Sequence, residues 1–163
     1  MLSKLADNLT AKDIMGAELL TAYEGWTIHR LAEFFINRQI SAAPVIASDH
    51  ELVGVVSVTD VFKFNNMNDK ARGDALRNHY RDSCGQEVNE EDLRSWVKNA
   101  DKNCTVHQIM TPEVIAVDKD AGIAEIISVL VENHIHRVFV TDASKIIGVI
   151  TAMNILAVIH QTL

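Results

Sequence analysis

Apolar residues recur along this chain with two alternating periods, and the alternation is played through twice. Ile28, Leu31, Ala32 and Phe35 follow the i, i+3, i+4, i+7 spacing of an amphipathic helix, with Thr27 placed to cap it. Before them, Leu19-Leu20-Thr21-Ala22 predicts a short strand. After them come the strand Ala43 to Ala47, the turn Ser48-Asp49-His50 and the β-branched strand Leu52 to Val58. Thr59-Asp60 opens a further helix through Phe62. The order then returns: strand Val114 to Val117, a helix carrying Ile123, Ile126, Ile127 and Leu130, strand Arg137 to Val140, turn Asp142-Ala143-Ser144, strand Ile146 to Thr151, and a helix from Asn154 to Ile159. Each copy reads as β-α-β-β-α, which predicts an α+β fold.

The words repeat as well as the pattern. Thr10-Ala11-Lys12-Asp13-Ile14-Met15 returns as Thr105-Val106-His107-Gln108-Ile109-Met110, and Gly54-Val55-Val56-Ser57 returns as Gly148-Val149-Ile150-Thr151. The two intervals agree within one residue, so the duplication spans a whole structural unit. Residues 8–64 form the first repeat, 65–104 an insertion, and 105–163 the second repeat. The apolar faces exceed what one such unit buries alone, so the two are expected to pack about a pseudo-twofold axis, with clefts where they meet. The insertion is too long for a plain connection. Asp69 to Arg81, with Ala71, Ala75 and Leu76, predicts one helix. Asn89 reads as the cap of a second, whose stripe is Leu93, Trp96 and Val97. That stripe covers the chain's own core or docks a partner, Trp being frequent at interface hot spots.

Composition removes several classes of function. A net charge of −7 over 163 residues without a Lys/Arg run gives no basic face for a nucleic acid. No apolar run reaches membrane-spanning length and the first residues do not read as a signal peptide, so a cytoplasmic location with no membrane partner is expected. Cys84 and Cys104 form no CxxC pair and read as free thiols. Of seven histidines only His134 and His136 are close together, without further ligands, so no metal site is expected.

The chemistry concentrates in Gly54-Val55-Val56-Ser57-Val58-Thr59-Asp60, where a strand ends at a hydroxyl residue and a carboxylate follows three positions later at a helix start. Helix-terminal N–H groups favour a phosphate, Ser57 and Thr59 can donate to its oxygens, and Asp60 offers two acceptors to a ribose cis-diol. Helix capping alone would use the same residues.

The duplication, the Asp13-Ile14-Met15 and Gln108-Ile109-Met110-Thr111-Pro112 openings, the Ile40-Ser41-Ala42-Ala43-Pro44-Val45 stretch and the two glycine-led strands together resemble the cystathionine-beta-synthase (CBS) domain. Such domains occur as tandem pairs, the Bateman modules. The resemblance covers about Thr10 to Phe64 and Thr105 to His160. It implies a regulatory module that binds an adenosyl compound such as AMP, ADP, ATP, S-adenosylmethionine or NAD, with no catalytic cofactor and a homodimer as the usual assembly. It further implies one cleft that joins Ser57, Val58, Thr59 and Asp60 to Ile115, His136 and Arg137. There Asp60 would hold the ribose, Arg137 the phosphate, and Val58 and Ile115 the adenine faces. His136 and Arg137 otherwise read as solvent-facing, or Arg137 as the partner of Asp118 or Asp142.

The second implied cleft joins Thr151, Ala152, Met153 and Asn154 to Leu20, Ser41 and Ala42. Asn154 replaces the acid and Ser41-Ala42 supplies no cation, so this cleft suits a polyphosphate poorly. Two rival functions stand beside the regulatory one. A structural dimerisation module would leave the clefts empty. An enzyme would need a nucleophile motif, a P-loop or a carboxylate cluster, and the sequence shows none of these. The insertion, 66–101, is the candidate surface for a protein partner.

Overall fold

The computed structural model describes residues 9–84 and 89–161. In chain order the elements are α1 (Ala11–Ile14), β1 (Ala22–Tyr23), α2 (Ile28–Arg38), β2 (Ala42–Ile46), β3 (Leu52–Ser57), α3 (Val58–Asn65), α4 (Asp69–Cys84), α5 (Glu90–Lys98), α6 (Ala100–Asn103), α7 (Val106–Ile109), β4 (Ala116–Asp118), α8 (Ile123–Glu132), β5 (Arg137–Asp142), β6 (Lys145–Thr151) and α9 (Ala152–Gln161). The fold is α+β, with two three-stranded sheets in the orders β1-β2-β3 and β4-β5-β6. Both opening strands are shorter and later than the apolar pattern suggested, so Leu20 and Ile115 lie just ahead of them. Parallel pairing sets this limit: β1 meets β2 only through Ala22 and Tyr23, and β4 meets β5 from Ala116 to Asp118.

The chain divides into two compact units, and their membership is not that of the two repeats. One unit holds residues 1–20, 49–52 and 114–163; the other holds 21–48 and 53–113. The opening segment of each repeat is thus built into the unit that carries the other repeat's glycine-led strand.

In the unit of the first repeat, Val106 donates to the Trp26 carbonyl and Val55 and Thr111 exchange backbone hydrogen bonds of 2.9 and 2.8 Å. Its core contains Leu31, Phe35, Val45, Val56, Phe64, Val106 and Cys104, joined by Leu93 and Ala100 of the insertion. The insertion is therefore part of this unit's core. Asn89 does cap α5, accepting the Asp92 amide at 2.8 Å, and Leu93 is buried as the apolar stripe required. The side chains of Ala75, Leu76, Cys84 and Trp96 lie outside what the structure describes.

The unit of the second repeat is built alike. Its core gathers Val117, Ile126, Leu130, Val138, Val140, Ile150 and Ile155 with Ala11 of the first opening. Gly16 and Val149 exchange backbone bonds of 2.9 and 3.1 Å, and Ala11 donates to the Ala121 carbonyl. Phe139, at the position of Pro44, is buried.

Close approach explains why the repeated strands begin with glycine. A Cβ on Gly54 would stand 2.6 Å from the Met110 sulfur and 2.9 Å from the Thr111 carbonyl oxygen; one on Gly148 would stand 2.8 Å from Met15 Cγ. The two sequence signatures of the repeat, the opening methionine and the strand glycine, are contact partners across copies: Met110 on Gly54, Met15 on Gly148. Only a residue without a side chain lets the opening lie against the strand.

Helix ends aim the next strands. Gln39 and His134, each one residue past a helix or its cap, take left-handed φ values of 53°, and Ile40 and Ile135 then donate back to the Phe35 and Leu130 carbonyls. In both repeats this bend comes two residues before the pair that the resemblance places at a cleft, Ser41-Ala42 or His136-Arg137.

Candidate ligand turns

The turn Ser57–Asp60 closes on itself. Ser57 donates its backbone N–H and its hydroxyl to the same Asp60 oxygen, Oδ2, at 2.7 and 2.9 Å. Capping therefore occupies one carboxylate oxygen. Among the described residues Oδ1 accepts no hydrogen bond, so this turn presents one anionic acceptor rather than two. The Val58 amide, first in α3, donates to the Ser41 carbonyl at 2.9 Å, which fixes the turn beside the start of β2.

The turn Thr151–Asn154 copies this arrangement with one chemical change. Thr151 donates its N–H and hydroxyl to Asn154 Oδ1 at 2.8 and 2.7 Å. The Asn154 carbonyl is spent on the cap, so the group left over is an amide NH2, a donor only. The Ala152 amide donates to the His136 carbonyl, and β5 pairs with β6 so that Arg137 lies opposite Thr151. The second turn thus sits beside His136 and Arg137 in its own unit, whereas the first sits beside Ser41.

Two more of these boxes stand at the openings. Thr10 donates its N–H and hydroxyl to Asp13, and the Thr105 N–H donates to Gln108. Those bonds hold the Asp13 carboxyl below its ordinary range, the Thr10 amide contributing most. The hydroxyl-x-x-acceptor pattern therefore starts four helices of this chain, and at two of them, Asp13 and Asp60, the acceptor is a carboxylate with one oxygen beyond the cap.

The apolar residues that the resemblance places at the clefts are exposed, each in its own unit. Val58 is 46% exposed, Ile115 38% and Leu20 39%. His136 and Arg137 are exposed, and among the described residues neither makes a side-chain hydrogen bond or an ion pair. Asp142 instead takes Lys119 at 2.9 Å, a bond that raises the lysine's pKa, so the alternative pairing of Arg137 with Asp142 is not made. Among the described residues there is no cluster of three His, Cys, Asp or Glu side chains able to hold a metal, and no helix long and apolar enough to cross a membrane.

Sequence reasoning placed the turns correctly and missed two features. The openings are four-residue helices, signalled by Thr10-x-x-Asp13 and Thr105-x-x-Gln108. The exchange of openings had a signal in the small strand residue that each methionine requires.

The CBS domain family model matches residues 11–66 and 106–161, more than half of the chain. The protein belongs to the CBS domain family and carries two of its repeats. A relative in Methanocaldococcus jannaschii, the uncharacterized protein MJ1232, is 28% identical over 153 residues; the alignment covers 93% of this chain and 40% of that protein. Among solved structures, CBSX2 in complex with AMP, a protein of Arabidopsis thaliana, superposes with a TM-score of 0.66 at 21% identity, covering 95% of this chain and 98% of that one. The CBS domain pair of protein MJ0100, in complex with 5′-methylthioadenosine and S-adenosyl-L-methionine, gives 0.59 at 20%, again over 95% and 98%. At such identities the likeness is one of fold.

Proposed function

We propose that this chain is a non-catalytic regulatory module that binds an adenosyl ligand of the AMP, ADP or ATP class and passes its occupancy to a partner or to its own dimer. The observation that carries the reading is the pair of unsatisfied groups of opposite kind. Among the described residues Asp60 keeps one carboxylate oxygen beyond its cap and the Arg137 guanidinium has no partner, and two solved structures of similar fold hold AMP or S-adenosyl-L-methionine. We assign ribose to Asp60, a phosphate to Arg137 with His136, hydroxyl contacts to Ser57 and Thr59, and the adenine faces to Val58 and Ile115. Asn154, with only an amide to offer, and Leu20, Ser41, Ala42 and Thr151 form a poorer set for an anionic ligand. Signalling follows by linkage: a ligand preferring one arrangement of the module stabilises that arrangement, and whatever distinguishes arrangements responds.

A homodimer is the second part of the reading. Ile127 and Val131 on α8 and Met153 and Leu156 on the adjoining α9 are exposed, up to 69% for Met153, and Phe62 on α3 is 66% exposed. Apolar faces of this extent suit a second copy of the chain. Nothing in the charge balance favours nucleic acid. A cytoplasmic setting suits the proposed ligand class.

Thermal unfolding against AMP, ATP, S-adenosylmethionine and adenosine tests the reading. A ligand at 100-fold its Kd adds about 2.7 kcal/mol, a rise of roughly 5–10 °C for a chain of this size. Absence of any shift at millimolar concentration leaves the purely structural dimerisation role. Conversion of any of these compounds, lost in Asp60→Asn, would instead make the protein an enzyme.

A further inference from the structure

The helix that begins at the Ser57–Asp60 turn is clamped at its other end by the insertion. Arg72 of α4 donates from Nε and Nη2 to the Phe64 carbonyl at 3.3 and 3.2 Å, and from Nη2 to the Asn65 carbonyl at 2.8 Å. Its guanidinium also lies over the Phe64 ring, 5.2 Å from the centroid. Both carbonyls belong to the last turn of α3, where intrahelical partners run out; the Phe64 carbonyl also accepts the Met67 amide at 3.2 Å, and a cation there meets the negative end of the helix dipole. Phe64 is buried in the unit's core. One residue past Arg72, Gly73 faces α5, where a Cβ would meet the Leu93 and Val97 side chains at ordinary contact distances of 3.7 and 3.8 Å.

We infer that Arg72 is a positioning residue that ties the insertion to the ligand turn, so that α3, α4 and α5 respond to a ligand at Ser57–Asp60 as one body. The inference rests on the proposed adenosyl-binding role for its ligand arm only; the mechanical tie is independent of it. α3 is eight residues long, about 12 Å, short enough that a constraint on its last turn is felt at its first. The turn itself is held by the Val58 amide on Ser41 and by Ser57 on Asp60. A helix fixed at both ends transmits displacement where a frayed one absorbs it. Arg72 suits this task because its planar fork spans two carbonyls while its face stacks on an aromatic ring, whereas Lys offers a single ammonium with neither the fixed fork nor the planar face.

Amide hydrogen exchange on the full-length protein tests the tie, with Arg72→Gln as the main variant and Arg72→Lys as the milder one should Gln prevent folding. Without ligand, exchange of the Val58 amide and of the α3 amides accelerates roughly tenfold in the variant, although Val58 lies at the far end of the helix. Acceleration confined to residues 64–73 would overturn the inference. With AMP as probe, the wild type gains protection over 69–98, and the variant loses that gain while still binding AMP and still gaining protection at Ser57–Asp60. An undiminished gain in the variant overturns the tie. Failure of the wild type to bind AMP or S-adenosylmethionine overturns the ligand reading instead, and the ligand-free arm then decides the tie alone.

Discussion

The turns Ser57–Asp60 and Thr151–Asn154 have the same backbone, the same cap and nearly the same hydrogen-bond lengths, yet after capping they offer opposite chemistry. The first has a carboxylate oxygen left over, the second an amide NH2. A motif read as a binding signature is therefore first a folding device: four such boxes start helices here, and among the described residues two of them, at Asp13 and Asp60, leave a carboxylate oxygen beyond the cap. The pairing of neighbours differs as well. Ser41 lies by the acidic turn, and His136 with the Arg137 guanidinium lies by the amide turn. Acid and cation thus belong to different compact units.

The largest test of this pseudo-symmetry is steric. Gly54→Ala drives a methyl against the Thr111 carbonyl, whose hydrogen bond with Val55 holds the opening in place, and should cost about 3 kcal/mol in chemical denaturation. Gly148→Ala meets only the Met15 side chain, which can turn aside in part, and should cost about 1–2 kcal/mol. Equal costs would mean that the two openings are held identically.

Next comes alkaline pH, which should separate the halves because Cys104 stands where the other copy has Leu9. Burial pushes the Cys104 thiol up from 9.0 to about 11, Arg72 opposing slightly and Asp101 adding. Below pH 9 the thiol is protonated in both states and contributes no pH dependence. From about 9 to 11 the unfolded thiol ionises while the folded one does not, so stability falls by on the order of 2–3 kcal/mol. Cys104→Ala should flatten that decline, and in the native wild type the thiol should resist maleimide at pH 8.

A smaller and more discriminating effect comes from exchanging the turn residues. Asp60→Asn keeps the Ser57 cap and converts the remaining acceptor to a donor, so AMP affinity should fall about tenfold with stability changed by less than about 1 kcal/mol. Asn154→Asp should raise stability by a few tenths of a kcal/mol through the helix dipole. Loss of folding in Asp60→Asn would show that the acid is structural only.

The smallest effect lies at the openings. Asp13 titrates and Gln108 does not. Because Thr10 holds the Asp13 carboxyl below its ordinary value, its stabilisation is complete above that value and is lost as pH falls through the depressed one. Acid should therefore loosen the Thr10–Met15 segment before Thr105–Met110 in hydrogen exchange. Asp13→Asn should abolish the difference.

Most of the fold was legible because periodicity, turn residues and duplication agreed: Thr27 caps α2, His50 takes the left-handed turn conformation, and Asn89 starts α5. The turns were legible to the residue. The opening strands were not, because a two- or three-residue parallel pairing leaves no periodic trace and Leu19-Leu20 is apolar without being in a strand. The exchange of openings was hidden for a different reason. Sequence similarity pairs Met15 with Met110, whereas packing pairs Met15 with Gly148, and likeness between copies carries no information about which copy touches which. Val58 and Ile115 are exposed, whereas apolar residues at a strand end ordinarily belong to the core, and only the resemblance singled them out as adenine walls.

In the function proposed above, Asp60 and Arg137 act on one ligand. Isothermal titration of AMP and adenosine into the wild type, Asp60→Asn, Arg137→Ala and Asn154→Ala measures it directly. The account predicts one AMP per chain, a loss of roughly tenfold or more in both Asp60→Asn and Arg137→Ala, an Arg137 effect that vanishes for adenosine, and little change in Asn154→Ala. AMP binding that survives Asp60→Asn and is lost in Asn154→Ala, or an Arg137 effect equal for AMP and adenosine, would contradict it.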